Sequence, residues 1–180
     1  MIDALKAEFR KIFTVRSTYV IAIIAFLLTV LFAFYVEGLR ASAVVGANPH
    51  LLASEARSAV LTTAIFAALV GVLLVTHEYR YNTVMYTLTS SNSRTKTMLA
   101  KLLAISVFAI VFALVFSVIA PLLTWLGLSL KGIGFSVEQQ IPVWDILWRS
   151  LFYAWGVAML ASLLAFLLRN QVGVIAAMFM

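Results

Sequence analysis

The sequence predicts an all-α fold, a polytopic membrane helical bundle with four complete spans, the start of a fifth and an N-terminal amphipathic interfacial helix. Three observations predict it. Four long runs without a charged side chain make up about half of the 180 residues. Hydrophobic residues are 64% and charged residues 11% of the chain, against roughly 45 to 50% and about 25% in soluble domains. The excess of Lys and Arg also falls on one side of the apolar runs. A globule could not be solvated by so little polar surface, whereas a bilayer can take it up.

The elements follow in order along what reads as a single transmembrane domain over residues 1–180. Residues 1–17 form the interfacial element. At 100° per residue Ile2, Leu5, Phe9, Ile12 and Phe13 fall within an arc of about 100°, with Asp3, Lys6, Glu8, Arg10 and Lys11 outside it. Such a helix lies on the membrane surface with Phe9 and Phe13 buried in it and Arg10 and Lys11 toward headgroups. The first span, about 18–36, covers about 28 Å at ~1.5 Å per residue, near the ~30 Å of a hydrocarbon core. A secretory signal is excluded despite Ala41, Ser42 and Ala43, because signal cores run only about 7 to 15 residues.

The other spans are placed at about 59–76, 102–128 and 150–168, with 170–180 as the start of a fifth. A charge at a span's centre costs roughly 2.5 to 3.5 kcal/mol on insertion scales, so four clean runs have a physical cause. Gly71, Gly156, Ala158, Ala161, Ser162 and Ala165 supply small-residue faces for close helix approach, with small-xxx-small spacing at 158/162 and 161/165. Pro121 removes a backbone hydrogen bond toward the outer end of span three. Trp125, Trp144 and Trp148 read as anchors at the outer interface and Tyr19 at the inner one. Asp145 and Arg149 are spaced to pair at the start of span four.

Orientation comes from the basic residues. With a cytoplasmic N-terminus, the inner segments hold Lys6, Arg10, Lys11, Arg16, Arg80, Arg94, Lys96, Lys101 and Arg169, and the outer ones Arg40, Arg57, Lys131 and Arg149. Nine against four is a positive-inside bias. Counting acids, the inner side carries the whole net charge of +6. Anionic membrane lipids account for that charge, and no nucleic-acid partner is needed.

Several function classes are excluded. The spans so placed contain no ionisable group of the kind that proton- or sodium-driven transporters use at depth. His50 and His77 fall in loops on opposite sides, and His77-Glu78 lacks the second histidine of a zinc-binding HExxH because Tyr81 stands there. Without cysteine there is no thiolate chemistry, and no GxxxxGK[ST] phosphate loop occurs. No catalytic, metal-binding or cofactor-binding residue is therefore expected in this chain.

The most distinctive segment is the inner loop 77–101. It brings together Glu78, Tyr79, Arg80, Tyr81, Asn82, Thr83 and Met85, with Leu88 at helical spacing, and Asn92 or Ser93 is placed to cap a helix running into span three. Aromatic, methionine and charged side chains in one short segment suit protein docking. Tyr79, Tyr81 and Met85 are expected as the packed contact, with Glu78 and Arg80 pairing within the loop or with a partner.

On these residues the chain resembles the ABC type-2 permeases, the membrane subunits of one class of ATP-binding cassette transporters, mostly exporters. The resemblance rests on the basic amphipathic N-terminal helix, on Glu78-Tyr79-Arg80-Tyr81-Asn82-Thr83, and on Thr87, Leu88, Arg94 and Lys101. It departs from many members at Asn82, where they have Gly, and near Asn92, where they have Pro. It implies a loop 77–101 carrying a coupling helix docked on a separate ATPase subunit that binds ATP-Mg, and a second permease subunit forming a homo- or heterodimer. The expected location is the plasma membrane. Because the family has six spans, a chain reaching only the start of a fifth is expected to be a fragment or a truncated gene product. A membrane scaffold or assembly subunit without transport is the alternative reading.

Overall fold

The computed structural model describes residues 2–40, 49–81, 94–132 and 143–179. Among these there is no strand, and the chain is an all-helical bundle with four helices long and apolar enough to cross a membrane. In chain order the elements are α1 (Ile2–Thr14), α2 (Arg16–Thr29), α3 (Pro49–Arg80), α4 (Arg94–Leu130), α5 (Val143–Leu168) and α6 (Gln171–Phe179). A π-helical stretch, Val30–Arg40, continues α2 without a break.

The spans are longer than the apolar runs suggest: Arg16–Arg40, Thr62–Arg80, Thr95–Leu130 and Leu147–Leu168. Backbone hydrogen bonding does not stop where hydrophobicity does, because a helix end in water still gains bonds for residues already aligned. Two parts of the expected inner loop are consequently helical, 77–80 ending α3 and 94–101 opening α4. Pro121 is accommodated inside α4, which is unbroken over 37 residues.

α1 and α2 meet at Val15, whose backbone is extended (φ −79°, ψ 120°) and ends the first helix. The corner is held locally: the Tyr19 hydroxyl donates to the Phe13 carbonyl at 2.6 Å, and Thr14 Oγ1 donates to the Arg10 carbonyl at 2.7 Å. This corner and the ends of α3 and α4 that pack near it define the α1 end of the bundle.

Small residues set how closely the spans pack. Ala67, Ala68, Ala158, Ala161 and Ala165 are buried where α3 lies along α5. At Gly71 a Cβ would stand 2.7 Å from Ser162 Oγ and 3.2 Å from Ile105 Cγ2, so three spans converge on a position with no room for a side chain. A second close approach joins the π-helical stretch to α4: a Cβ on Gly38 would lie 2.8 Å from Gly127 Cα, and one on Gly127 2.7 Å from Gly38 Cα. Gly156 corrects the expectation from its sequence, since nothing lies within 4 Å of its notional Cβ. Among the described residues, its notional Cβ meets open space.

α6 packs on α3 and α5, with Val174 buried and Ile175 and Met178 against the core. The turn before it places Arg169 at φ 51°, and Asn170 Oδ1 accepts from the Val172 N–H at 3.0 Å, an Asx-type cap.

Candidate functional site

Four ionisable side chains from three helices meet at the α1 end. Glu8 and Lys11 come from α1, one helical turn apart; Glu78 comes from the last turn of α3 and Lys101 from the second turn of α4. Lys101 is only 2% exposed. Its Nζ donates to Glu8 Oε2 and to Glu78 Oε1, both at 2.8 Å, and to the Leu74 carbonyl at 3.4 Å. All three N–H bonds of the ammonium are thereby engaged, which is what burial of a lysine requires. Lys11 Nζ donates to Glu8 Oε1 at 2.8 Å and to Glu78 Oε1 at 2.6 Å.

The two acids and two bases form one closed, electrically neutral unit. Glu8, itself 2% exposed, uses both oxygens, one for each lysine. Burial works against the charge on Lys11, but hydrogen bonds and attraction from Glu78 and Glu8 outweigh it and lift its pKa above the ordinary lysine value. Apolar packing supports the same contact, as Ile12 is buried and Leu5, Phe9 and Tyr79 pack on the core beside it.

This geometry corrects the reading of α1 as having one apolar face toward lipid and one charged face toward water. Glu8 points into the protein, and Lys11 is half-buried. The two aromatic side chains also divide, with Phe9 against the bundle and Phe13 61% exposed on the side away from it. Arg10 is exposed.

The structure treats the residues of the inner segment differently from one another. Glu78 turns inward to the two lysines, whereas Arg80 lies over the Tyr81 ring, 5.8 Å from its centroid. Tyr79 is half-buried, with the Arg169 guanidinium 5.7 Å from its ring centre. Tyr81 is exposed, its ring edge-on to His77 at 5.8 Å. Asn82, Thr83, Met85, Leu88 and the capping candidates Asn92 and Ser93 lie outside the described residues, as do the side chains of Trp144 and Asp145.

Sequence reasoning missed the pairing partners of Glu78 and the burial of Glu8 and Lys101. One signal was present: Glu8 and Lys11 form an i, i+3 pair on a helix that has another acid and base waiting at the ends of two spans. A second acid was also missed. Glu37, placed by sequence in the loop after span one, lies inside the helix, 7% exposed, and accepts from Thr124 Oγ1 at 3.1 Å.

Four helices long and apolar enough to cross a membrane, with α1 tied to α3 and α4 by buried ion pairs, define a polytopic α-helical membrane protein. The family model described as ABC-2 family transporter protein matches residues 4–180. The chain belongs to this family, as a permease component of an ATP-binding cassette transporter, which is a membrane transport component and not itself a catalyst. No curated protein and no solved structure matches it.

Proposed function

We propose that this chain is the permease subunit of an exporter in the plasma membrane, with its N-terminus cytoplasmic, driven by a separate ATPase that binds ATP-Mg and docks on the segment 77–101. It works with a second permease subunit, identical or homologous. Family membership supports the ATPase partnership, and the nine-to-four division of basic residues supports the orientation.

The observation that carries the mechanism is the charge cluster. The segment 77–101 begins and ends on helices that Glu78 and Lys101 tie to each other and to α1. A displacement of that segment by ATPase closure is transmitted to spans two and three and to the surface helix together, since none can move alone without separating buried charges. Glu78 acts as the anchor of the segment, and Tyr81 is the exposed aromatic group suited to partner contact. Asn82, Thr83 and Met85 follow Tyr81 in sequence and are assigned to the same docking segment, which half-buried Tyr79 adjoins. Phe9 and Phe13 seat α1 on bundle and lipid, with Arg10 at the headgroups.

The test is reconstitution of the full-length permease with its ATPase, measuring binding, ATP hydrolysis and transport. Tyr81→Ala should lose more than about 1 kcal/mol of partner affinity, whereas Glu78→Gln should retain binding and lose coupling. Parent-like behaviour of both would reduce the segment to a passive connector.

A further inference from the structure

Beside the charge cluster a cleft of about 490 Å³ opens between the α1–α2 corner and the last turns of α3. We propose that it binds the phosphate headgroup of an anionic phospholipid. Its polar wall is formed by Lys11, Arg16, Ser17 and His77, and Val70 and Leu73 line it further along α3.

Three features of the cleft fit that ligand. Glu78 also lines it, but its charge is matched within the neutral cluster, so Arg16 is the lining cation that the cluster does not use. Lys11 has a third N–H beyond the two directed at Glu8 and Glu78, and the side chain is 37% exposed. Ser17 lines the cleft and its Oγ has no hydrogen-bond partner among the described residues; because that oxygen is closed to solvent, it meets a phosphate oxygen only after rotation about χ1. Extended Val15 begins α2 at this corner with no side-chain cap, and the Thr18 N–H returns to the Val15 carbonyl at 3.1 Å.

A phosphate ester is the chemistry these groups share, and the apolar wall selects its source. Val70 and Leu73 belong to a membrane span and continue from the cationic end toward the bilayer interior. A phospholipid places its phosphate and its acyl chains in that same order, while free phosphate has nothing to set against the apolar wall. The cleft borders the proposed docking segment through His77, Glu78 and Tyr81, while the cations offered to the phosphate, Lys11 and Arg16, belong to the α1–α2 corner.

The experiment uses the full chain in vesicles of phosphatidylcholine containing a minor fraction of phosphatidylglycerol. After extraction in mild detergent, the retained lipid is measured by mass spectrometry. Phosphatidylglycerol should be enriched over its bulk fraction. Arg16→Gln should reduce that enrichment about fivefold, the worth of one basic side chain near a headgroup, while Arg16→Lys retains most of it. Leu73→Trp, which fills the cleft without touching a charge, should abolish it. Lys131→Gln, exposed at the far end of α4, should leave it unchanged. Equal enrichment in the parent, Arg16→Gln and Leu73→Trp would overturn the site. Displacement of the lipid by inorganic phosphate alone would overturn its assignment to a lipid.

Discussion

Replacing Lys101 by Met separates the electrostatic role of the cluster from its packing, because the two side chains are similar in length and only one carries charge. In the parent, Lys101 donates to Glu8, Glu78 and the Leu74 carbonyl. After substitution Glu78 keeps its 2.6 Å bond to Lys11, but Glu8 Oε2 loses its partner and the cluster becomes net negative in a site that water barely reaches. Removing one member of a buried ion set costs about 3 to 5 kcal/mol. Lys11→Met removes the same formal charge, yet it leaves Lys101 bridging both acids and takes away a side chain that is 37% exposed. That change should cost only about 1 to 2 kcal/mol. The assay is denaturant-induced unfolding of the purified full chain in one detergent, followed by circular dichroism. The difference between the two variants, about 2.5 kcal/mol by these figures, is the deciding quantity. Adding Glu8→Gln to Lys101→Met should recover part of the loss by removing a buried carboxylate left with Lys11 alone and restoring neutrality. Equal costs for the two lysines, or a further loss on adding Glu8→Gln, would refute the buried-cluster reasoning.

Other consequences are open to direct measurement. Gly127→Ala forces a methyl into the Gly38 backbone and should destabilise by about 1 to 3 kcal/mol, whereas Gly156→Ala, facing open space, should be neutral or slightly stabilising through helix propensity. The raised pKa of Lys11 makes its contribution to stability complete below the unfolded-state value of about 10.5 and lost as pH rises through the higher folded value. Alkaline unfolding curves of the parent and of Lys11→Met should therefore converge only above that window, and parallel curves throughout would count against the ion pairs. Single cysteines at Ser54 and Ser136 should react with an impermeant thiol reagent on intact cells, and one at Ser91 only after permeabilisation. Labelling at position 91 in intact cells would reverse the orientation.

The spans were legible because exclusion of charge from a hydrocarbon core is a strong, local constraint written into consecutive residues. The buried faces of α5 were legible for a related reason, since Ala158, Ala161, Ser162 and Ala165 repeat at helical spacing. The same rule failed at Gly156: spacing identifies a face, but which face meets a neighbour depends on where the other helices lie. Gly38 and Gly127 went unnoticed because their contact joins positions far apart in the chain. The charge cluster was illegible as a unit, although each member was visible. Helical periodicity divided α1 into apolar and charged sides and so assigned Glu8 to water, when its partner Lys101 stands 93 residues away. An amphipathic pattern reports polarity; it does not say whether the polar face meets solvent or another protein charge.

The lysines of the cluster act at two different times in the life of the chain. While the spans are being inserted, no tertiary contact exists, and Lys11 and Lys101 count fully toward the basic excess that biases topology, with Glu8 and Glu78 contributing little opposition. Once the bundle closes, both cations are paired with those acids and Lys101 is withdrawn from the membrane surface, while Lys11 stays partly exposed. Charge that favours one topology in the nascent chain thus becomes an internal fastening in the mature one. A substitution at Lys101 accordingly touches biogenesis as well as stability, and a loss of yield in cells has to be separated from a loss of folding energy in detergent.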